Sequence, residues 1–74
     1  MEGSVREFLL LQGLSPLKSL VVKERFDNWM RNGNGLPTPI KKGVAPMGNV
    51  YLFSELEERW LAYKKCLASM GRKL

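Results

Sequence analysis

The sequence predicts an α+β domain that is mainly helical, with three helices and a two-stranded β-hairpin. Two Ser-x-x-Glu motifs, Ser4–Glu7 and Ser54–Glu57, are typical of helix starts. Between them, a proline-stiffened segment at Leu36–Pro39 separates a helical pattern from two short strand-like runs. A chain of 74 residues suffices for one domain, which we expect to span residues 1–74 with a frayed basic tail at about residues 70–74.

The first predicted helix runs from Ser4 to Gly13. Ser4 and Glu7 can form a capping box, because a hydroxyl and a carboxylate three residues apart satisfy the free amides of a helix start. Gly13 is suited to the left-handed geometry that ends many helices. The side chains that share one face of this helix are Val5, Phe8, Leu9 and Gln12. We therefore expect a short amphipathic helix.

The next helix has an ambiguous start. Ser15 followed by Pro16 is typical of a helix N-terminus, yet the apolar side chains beyond it lie on two sides. One side carries Leu17, Leu20 and Val21, and the other carries Val22, Phe26, Trp29 and Met30. A single straight helix would have to bury both sides. We therefore predict a turn or short helical piece over residues 15–20 and a main helix from about Val21 to Asn32, ended by Gly33–Gly35.

The main helix separates into an apolar and a polar side. We expect its apolar side, with Trp29, to face the core. The opposite side carries Glu24, Arg25, Asp27, Asn28, Arg31 and Asn32. Arginine and asparagine side chains can each form two hydrogen bonds to guanine and adenine, respectively. These residues could therefore read DNA bases, although a solvated face of mixed charge is the simpler alternative.

A β-hairpin is predicted to follow the connector Leu36–Pro39. Ile40–Lys42 would pair with Asn49–Phe53 around a loop at residues 43–48, which is rich in glycine. Because an isolated hairpin is only marginally stable, we expect its apolar side chains to pack on the helices. These are Ile40, Tyr51 or Leu52, and Phe53. Lys41 and Lys42 would then give the first strand a basic surface, either to contact a phosphate backbone or to protect a sheet edge.

The last predicted helix begins at the second capping box, Ser54–Glu57, and ends at about Ser69. Its apolar stripe consists of Leu56, Trp60, Tyr63, Leu67 and Met70. We expect Trp60 to lie in the core and Cys66 to be a small, buried or half-buried residue.

Composition excludes several classes of function. The chain has no histidine and one cysteine, so it offers neither a disulfide nor the residues of a common metal site. We therefore expect neither an enzyme nor a cofactor. The apolar runs are too short to span a membrane and no signal peptide precedes them, which favours a cytoplasmic protein. The net charge is +5, and six basic but only two acidic residues lie between residues 18 and 43, where a polyanion could bind.

The order of these motifs resembles a known family. Trp29-Met30-Arg31, followed by Leu36-Pro37-Thr38-Pro39-Ile40-Lys41-Lys42-Gly43 and by Tyr51-Leu52-Phe53, resembles the small winged-helix excisionases of temperate phages, including that of phage lambda. It resembles equally the AlpA-like prophage regulators, which share the MerR-type helix-turn-helix. The resemblance runs without a gap from residue 29 to residue 43 and more loosely over residues 4–67.

This resemblance implies a winged helix-turn-helix that binds double-stranded DNA in the cytoplasm of a bacterial host, at the nucleoid. Arg31 matches a basic position that contacts DNA in the family, and Lys41 matches the lysine that opens the wing. The family arginines are replaced here by Asp27-Asn28, and the wing loop is longer. Together with the polar side of the main helix, the expected DNA-binding residues are Lys23, Arg25, Asn28, Arg31, Asn32, Lys41 and Lys42.

Three functions remain open from the sequence. An excisionase would bind adjacent sites, self-associate on DNA, bend it and direct an integrase or recombinase. An AlpA-like transcriptional regulator would use the same contacts beside a promoter. A small protein–protein interaction module is the alternative from another class, because Glu24 and Asp27 would repel phosphate unless they accept a hydrogen bond from cytosine or pair with Arg31 and Arg25.

Overall fold

A computed structural model of the protein describes residues 1–43 and 48–74, which contain three helices and one two-stranded antiparallel sheet. In chain order the elements are β1 (Glu2–Gly3), α1 (Val5–Leu11), α2 (Pro16–Arg31), β2 (Tyr51–Leu52) and α3 (Phe53–Ser69). The predicted α+β class, mainly helical, is therefore confirmed. Residues 44–47, which belong to the predicted hairpin loop, lie outside the described residues.

The start of α1 is as predicted. The Ser4 hydroxyl accepts a hydrogen bond from the Glu7 amide at 3.1 Å, and it lies 3.3 Å from a Glu7 carboxylate oxygen. Beyond the helix end, Gly13 has a φ of 90°, which favours glycine. The buried residues of α1 are Val5, Phe8 and Leu9. Gln12, which we expected on the same face, is exposed because the helix has already ended at Leu11.

Helix α2 is continuous from Pro16 to Arg31, so the predicted break before Val21 is wrong. Ser15 caps it by accepting a hydrogen bond from the Lys18 amide at 3.2 Å. The apolar side chains that suggested a break are exposed: Leu17 by 79%, Leu20 by 48% and Val21 by 51%. A straight helix is possible because only one side is buried, formed by Ser19, Val22, Phe26 and Met30.

The turn after α2 is built by two glycines and two side-chain hydrogen bonds. Gly33 and Gly35 have φ values of 86° and 82°. The Asn34 side-chain amide donates to the Trp29 carbonyl at 2.7 Å. The Arg59 guanidinium, from α3, donates to the Gly35 carbonyl at 2.7 Å. The connector that follows is therefore anchored at its start to both long helices.

The sheet pairs β2 with β1, which the sequence did not predict. Tyr51 lies opposite Gly3 and Leu52 opposite Glu2. Gly3 is needed at this position, because a Cβ there would lie 2.9 Å from the Phe53 ring. Among the described residues, the expected hairpin is reduced to one bridge between Lys41 and Val50.

The packing of the hairpin also differs in part from the prediction. Tyr51 is buried and Phe53 packs partly against the core, as expected. Ile40 is 49% exposed, so the prediction that it packs on the helices is wrong. The physical reason is that β1 lies beside β2 and takes over the pairing that we assigned to the strand from Ile40 to Lys42.

Helix α3 begins at Phe53, and its N-cap is Leu52, which forms no side-chain capping bond. The predicted capping box at Ser54 is therefore wrong. The Phe53 amide donates instead to the Met1 carbonyl at 3.0 Å, so the segment around β1 satisfies this first-turn amide. The helix ends at Ser69 as predicted, and Leu56, Trp60 and Tyr63 are buried. Cys66 is half-buried, as expected.

Aromatic rings form the centre of the core. The Phe26 ring lies 5.3 Å, centroid to centroid, from both the Trp60 and the Tyr63 rings, and Phe8 reaches Trp60 from α1 at 6.4 Å. Trp60 is 3% exposed, which confirms its predicted core position. Trp29 is only half-buried and stacks on Phe26 at the core edge. The prediction that Trp29 lies in the core is therefore correct only in part, for the side of its ring that stacks on Phe26.

The C-terminal tail packs on the molecule. Gly71 has a φ of 70°, the Arg72 amide donates to the Leu67 carbonyl at 2.8 Å, and Leu74 packs against the core. This arrangement differs from the frayed tail that we expected at residues 70–74. The apolar stripe of α3 ends before it, since Leu67 is half-buried and Met70 is exposed. In the described part of the chain, no helix is long and apolar enough to cross a membrane.

Candidate nucleic-acid interface

The outward side of α2 carries most of the predicted DNA-binding residues. Because α1 and α3 cover only the side with Val22 and Phe26, the opposite side faces solvent along the whole helix. The exposed polar residues there are Glu24, Arg25, Asn28, Arg31 and Asn32. Asn28 lies at the middle of this face, since it is rotated by about half a turn from the buried residues at 100° per residue.

Lys23 and Asp27 form an ion pair on one flank of α2. The Lys23 ammonium lies 2.7 Å from a carboxylate oxygen of Asp27, one helical turn away. Their side chains are 38% and 16% exposed, respectively. The pairing cancels the carboxylate that would otherwise repel phosphate, but it also occupies one of the predicted DNA-binding lysines. Asp27 therefore pairs within α2 with Lys23, and not with Arg31 or Arg25, the partners that the sequence analysis considered.

Arg31 lies beside the arms of the predicted hairpin loop. It lines a groove of about 150 Å³ with Lys23 and Asp27 of α2 and with Gly48 and Asn49, which follow residues 44–47. The remaining lining residues are Ser4, Val5, Leu36 and Tyr51. We call this the loop groove. It brings a base-reading candidate of α2 next to the segment that carries the two lysines.

The described ends of the hairpin loop are held together by hydrogen bonds. The Gly43 amide donates to the Asn49 side-chain carbonyl at 3.1 Å, and the Val50 amide donates to the Lys41 carbonyl at 2.8 Å. A Cβ at Gly43 would overlap the Gly48 carbonyl, so this close approach requires glycine. The side chains of Lys41 and Lys42 are exposed beside this closure.

Arg25 and Asn32 lie on the other flank of α2. They line a second cavity, between α2 and α3, which also contains Trp29 and Tyr63. Burial raises the pKa of Tyr63, and the charges of Arg25 and Arg72 partly oppose that rise, so both guanidinium groups act on the same ring. Asn28 lines cavities on both flanks. The seven predicted residues therefore form two groups that meet at Asn28.

The first group contains Lys23, which is paired with Asp27, and four further residues that we call the loop-side surface: Asn28, Arg31, Lys41 and Lys42. Within residues 1–43 and 48–74, the ion pairs are Lys23–Asp27 and Glu58–Arg59, so none of these three cations is neutralised there. Glu24 remains exposed and lines a surface cavity with Asn28 and Arg31. The loop-side surface is thus cationic, with one carboxylate available to accept a hydrogen bond.

A second basic surface lies on the side of α3 and the tail, of which only the basic tail was predicted. Lys18 of α2 and Lys64 of α3 line a cavity with Arg72 and Lys73. A sequence signal existed, because Lys64, Arg72 and Lys73 are plainly basic. Their proximity to Lys18 could not be predicted, since it depends on the antiparallel packing of α2 against α3 and on the docking of the tail.

Comparison of the chain with protein-family models, with curated proteins and with solved structures finds no match. The resemblance to excisionases and AlpA-like regulators therefore remains a prediction from the motifs. In the described residues there is also no group of three or more Cys, Asp or Glu side chains that could hold a metal ion.

Proposed function

We propose that the protein binds double-stranded DNA in a sequence-specific manner, as an excisionase-like architectural factor of a phage or mobile element. The outward face of α2 would enter the major groove, and the segment with Lys41 and Lys42 would lie along the adjacent backbone. The observation that carries the proposal is the loop groove, in which Arg31 lies beside Gly48 and Asn49, in the second arm of the predicted hairpin.

The dimensions of α2 suit this role. Its 16 residues give a helix about 24 Å long, and the B-DNA major groove admits one α-helix. The buried residues of α2 recur every three or four positions, so the opposite face stands clear of α1 and α3. A helix whose outer face is free over its full length can approach base edges with its C-terminal half, where Asn28 and Arg31 lie.

Charge also favours a polyanion such as DNA over a neutral or basic partner on this surface. Arg31, Lys41 and Lys42 are exposed, while the Asp27 carboxylate is neutralised by Lys23. Glu24 is the exception, and a carboxylate in the major groove can accept a hydrogen bond from the cytosine amino group. The mixed set of arginine, asparagine and glutamate therefore fits base recognition better than non-specific binding.

The decisive test compares Arg31→Ala with Lys65→Ala in fluorescence-anisotropy titrations on a selected target duplex and on a scrambled duplex. Both changes remove one exposed cation, but Lys65 lies on α3, away from the loop-side surface. We expect Arg31→Ala to lower affinity for the target by about 1–3 kcal/mol and to reduce the preference over the scrambled duplex. Equal effects of the two changes would exclude α2 as the reading helix.

A transcriptional regulator of the AlpA-like kind would use the same surface. The two versions differ in what happens on DNA. An excisionase should occupy several neighbouring sites near a recombination site, bend the DNA and assist an integrase. Footprinting and circular-permutation gel shifts on DNA that flanks the gene would distinguish these outcomes, because one unbent operator at a promoter would favour the regulator.

A further inference from the structure

A second groove lies between the N-terminal half of α2 and the C-terminal half of α3, where the tail folds back. Its lining residues are Lys18, Lys64, Leu67, Arg72, Lys73 and Leu74, and its volume is about 360 Å³. A neighbouring cavity reaches Trp29 and Arg25. Both cavities are lined by Leu67, Arg72, Lys73 and Leu74. We call the two together the tail groove.

The charge of the tail groove is one-sided. Lys18, Lys64, Arg72 and Lys73 line the first cavity, and Arg25 lines the second. None of the described residues that line either cavity is acidic. Among the described residues these five cations form no ion pair. The positive potential is thus available to a bound molecule.

The floor of the tail groove is apolar. Leu67 and Leu74 are half-buried there, and Met70 is 56% exposed at its edge. Trp29, which is half-buried against Phe26 and Tyr63, also lines the groove. A duplex phosphate backbone would pair with the cations but would leave this apolar surface without a partner. A peptide that combines carboxylates with apolar side chains satisfies both.

We propose that the tail groove docks an acidic amphipathic peptide segment of a partner protein. Leucine or phenylalanine side chains of the segment would cover Leu67, Met70 and Leu74, and its flanking carboxylates would meet Arg72, Lys73 and Lys18. Arginine and carboxylate can form two parallel hydrogen bonds, which favours this pairing. The groove lies on the opposite flank of α2 from Arg31, so the inference goes beyond DNA binding and does not require it.

The probe for this proposal is a short synthetic peptide with a leucine stripe at helical spacing and glutamates on both flanks. Two matched peptides serve as controls, one with lysine in place of every glutamate and one with serine in place of every leucine. The full chain, labelled with ¹⁵N, is titrated with each peptide by NMR. We expect saturable amide shifts confined to residues 64–74 and to the residues of α2 that line the tail groove, from Lys18 to Trp29, with at least tenfold weaker binding of both control peptides.

Charge reversal then tests the site. Arg72→Glu combined with Lys73→Glu should weaken the acidic peptide more than tenfold, whereas Lys41→Glu combined with Lys42→Glu should leave its affinity unchanged. The second pair makes the same change of charge on the loop-side surface. Arg72→Gln combined with Lys73→Gln removes the two positive charges without adding negative ones, and it should also weaken binding of the acidic peptide. Circular dichroism shows whether each variant is folded.

Four results would overturn the proposal. Shifts outside the tail groove, or equal binding of the glutamate and lysine peptides, would show that the groove is not a peptide site. Competition by a short DNA duplex at the same residues would make it a second DNA-binding surface. Concentration-dependent association of the chain alone, lost with Arg72→Glu and Lys73→Glu, would identify a second copy as the occupant. Failure of DNA binding at the loop-side surface would leave the peptide result unaffected.

Discussion

Replacement of Asp27 by asparagine tests how charge is arranged on α2. Asp27 holds the Lys23 ammonium at 2.7 Å, on the flank that also carries Arg31. The substitution releases Lys23 and removes a carboxylate from the loop groove. If this flank faces phosphate, Lys23 becomes available for one further phosphate contact, and DNA affinity should increase.

The expected size of this effect follows from counterion release. Each neutralised phosphate contributes about 0.9 to the slope of log affinity against log salt, so Asp27→Asn should steepen the slope by about that amount. Loss of the ion pair itself should cost about 1 kcal/mol or less of folding stability, because it joins half-buried residues one helical turn apart. DNA affinity and protein stability should therefore change in opposite directions.

Salt-series anisotropy titrations on one duplex measure the slope, and urea denaturation measures stability. Glu58→Gln is the matched control, because Glu58 forms the other described ion pair, with Arg59 at 3.0 Å on α3, and the substitution changes the net charge equally. We expect Glu58→Gln to leave the slope nearly unchanged. An equal slope for both variants would refute the idea that the Lys23 flank meets the phosphate backbone.

Three further outcomes follow from the same structure. Lys41→Ala combined with Lys42→Ala should weaken binding to target and scrambled duplexes alike and reduce the salt slope by about 0.9 per lost phosphate contact, as read from the same titrations. Trp60→Ala should cost about 3–5 kcal/mol in urea denaturation, and Trp29→Ala clearly less, because Trp29 is half-buried. Leu20→Gln should change stability by less than about 0.5 kcal/mol, whereas a large loss would indicate that Leu20 is buried and that the continuous α2 is wrong.

Local sequence patterns predicted those helix ends that are fixed by residues close to them in the chain. The Ser4 cap and the end of α3 at Ser69 were predicted, whereas Ser15 was considered as a cap but the main helix was placed from about Val21. The break in α2 was predicted wrongly because apolar periodicity assumes burial. In a domain of this size much apolar surface stays exposed, and Leu17 and Val21 are part of it.

The sheet and the true start of α3 could not be read from local patterns. Glu2–Gly3 is too short to show any alternation, and its partner, Tyr51–Leu52, lies far away in the chain. The same long-range contact explains why Ser54 is not the cap of α3, since the Met1 carbonyl already accepts from Phe53.

The sequence predicted which residues belong to the candidate site, but not which of them lie close together. Exposure of Arg31 and of the hairpin lysines agrees with the expectation, and an i, i+4 spacing made the Lys23–Asp27 pair foreseeable. The division of the predicted residues between two flanks could not be foreseen, because it depends on where α3 and the tail pack.

The hydrogen bond from the Arg59 side chain to the Gly35 carbonyl connects the tail groove to the loop-side surface through α3. Arg59 belongs to the same rigid helix whose far end forms the wall of the tail groove, and Gly35 opens the connector that leads to Lys41. A shift of α3 along its axis would carry the connector with it and change the angle between α2 and the hairpin loop. If a molecule bound at Leu67 shifted α3 in this way, and if DNA binds the loop-side surface as proposed, each ligand would change the affinity of the other by the same factor.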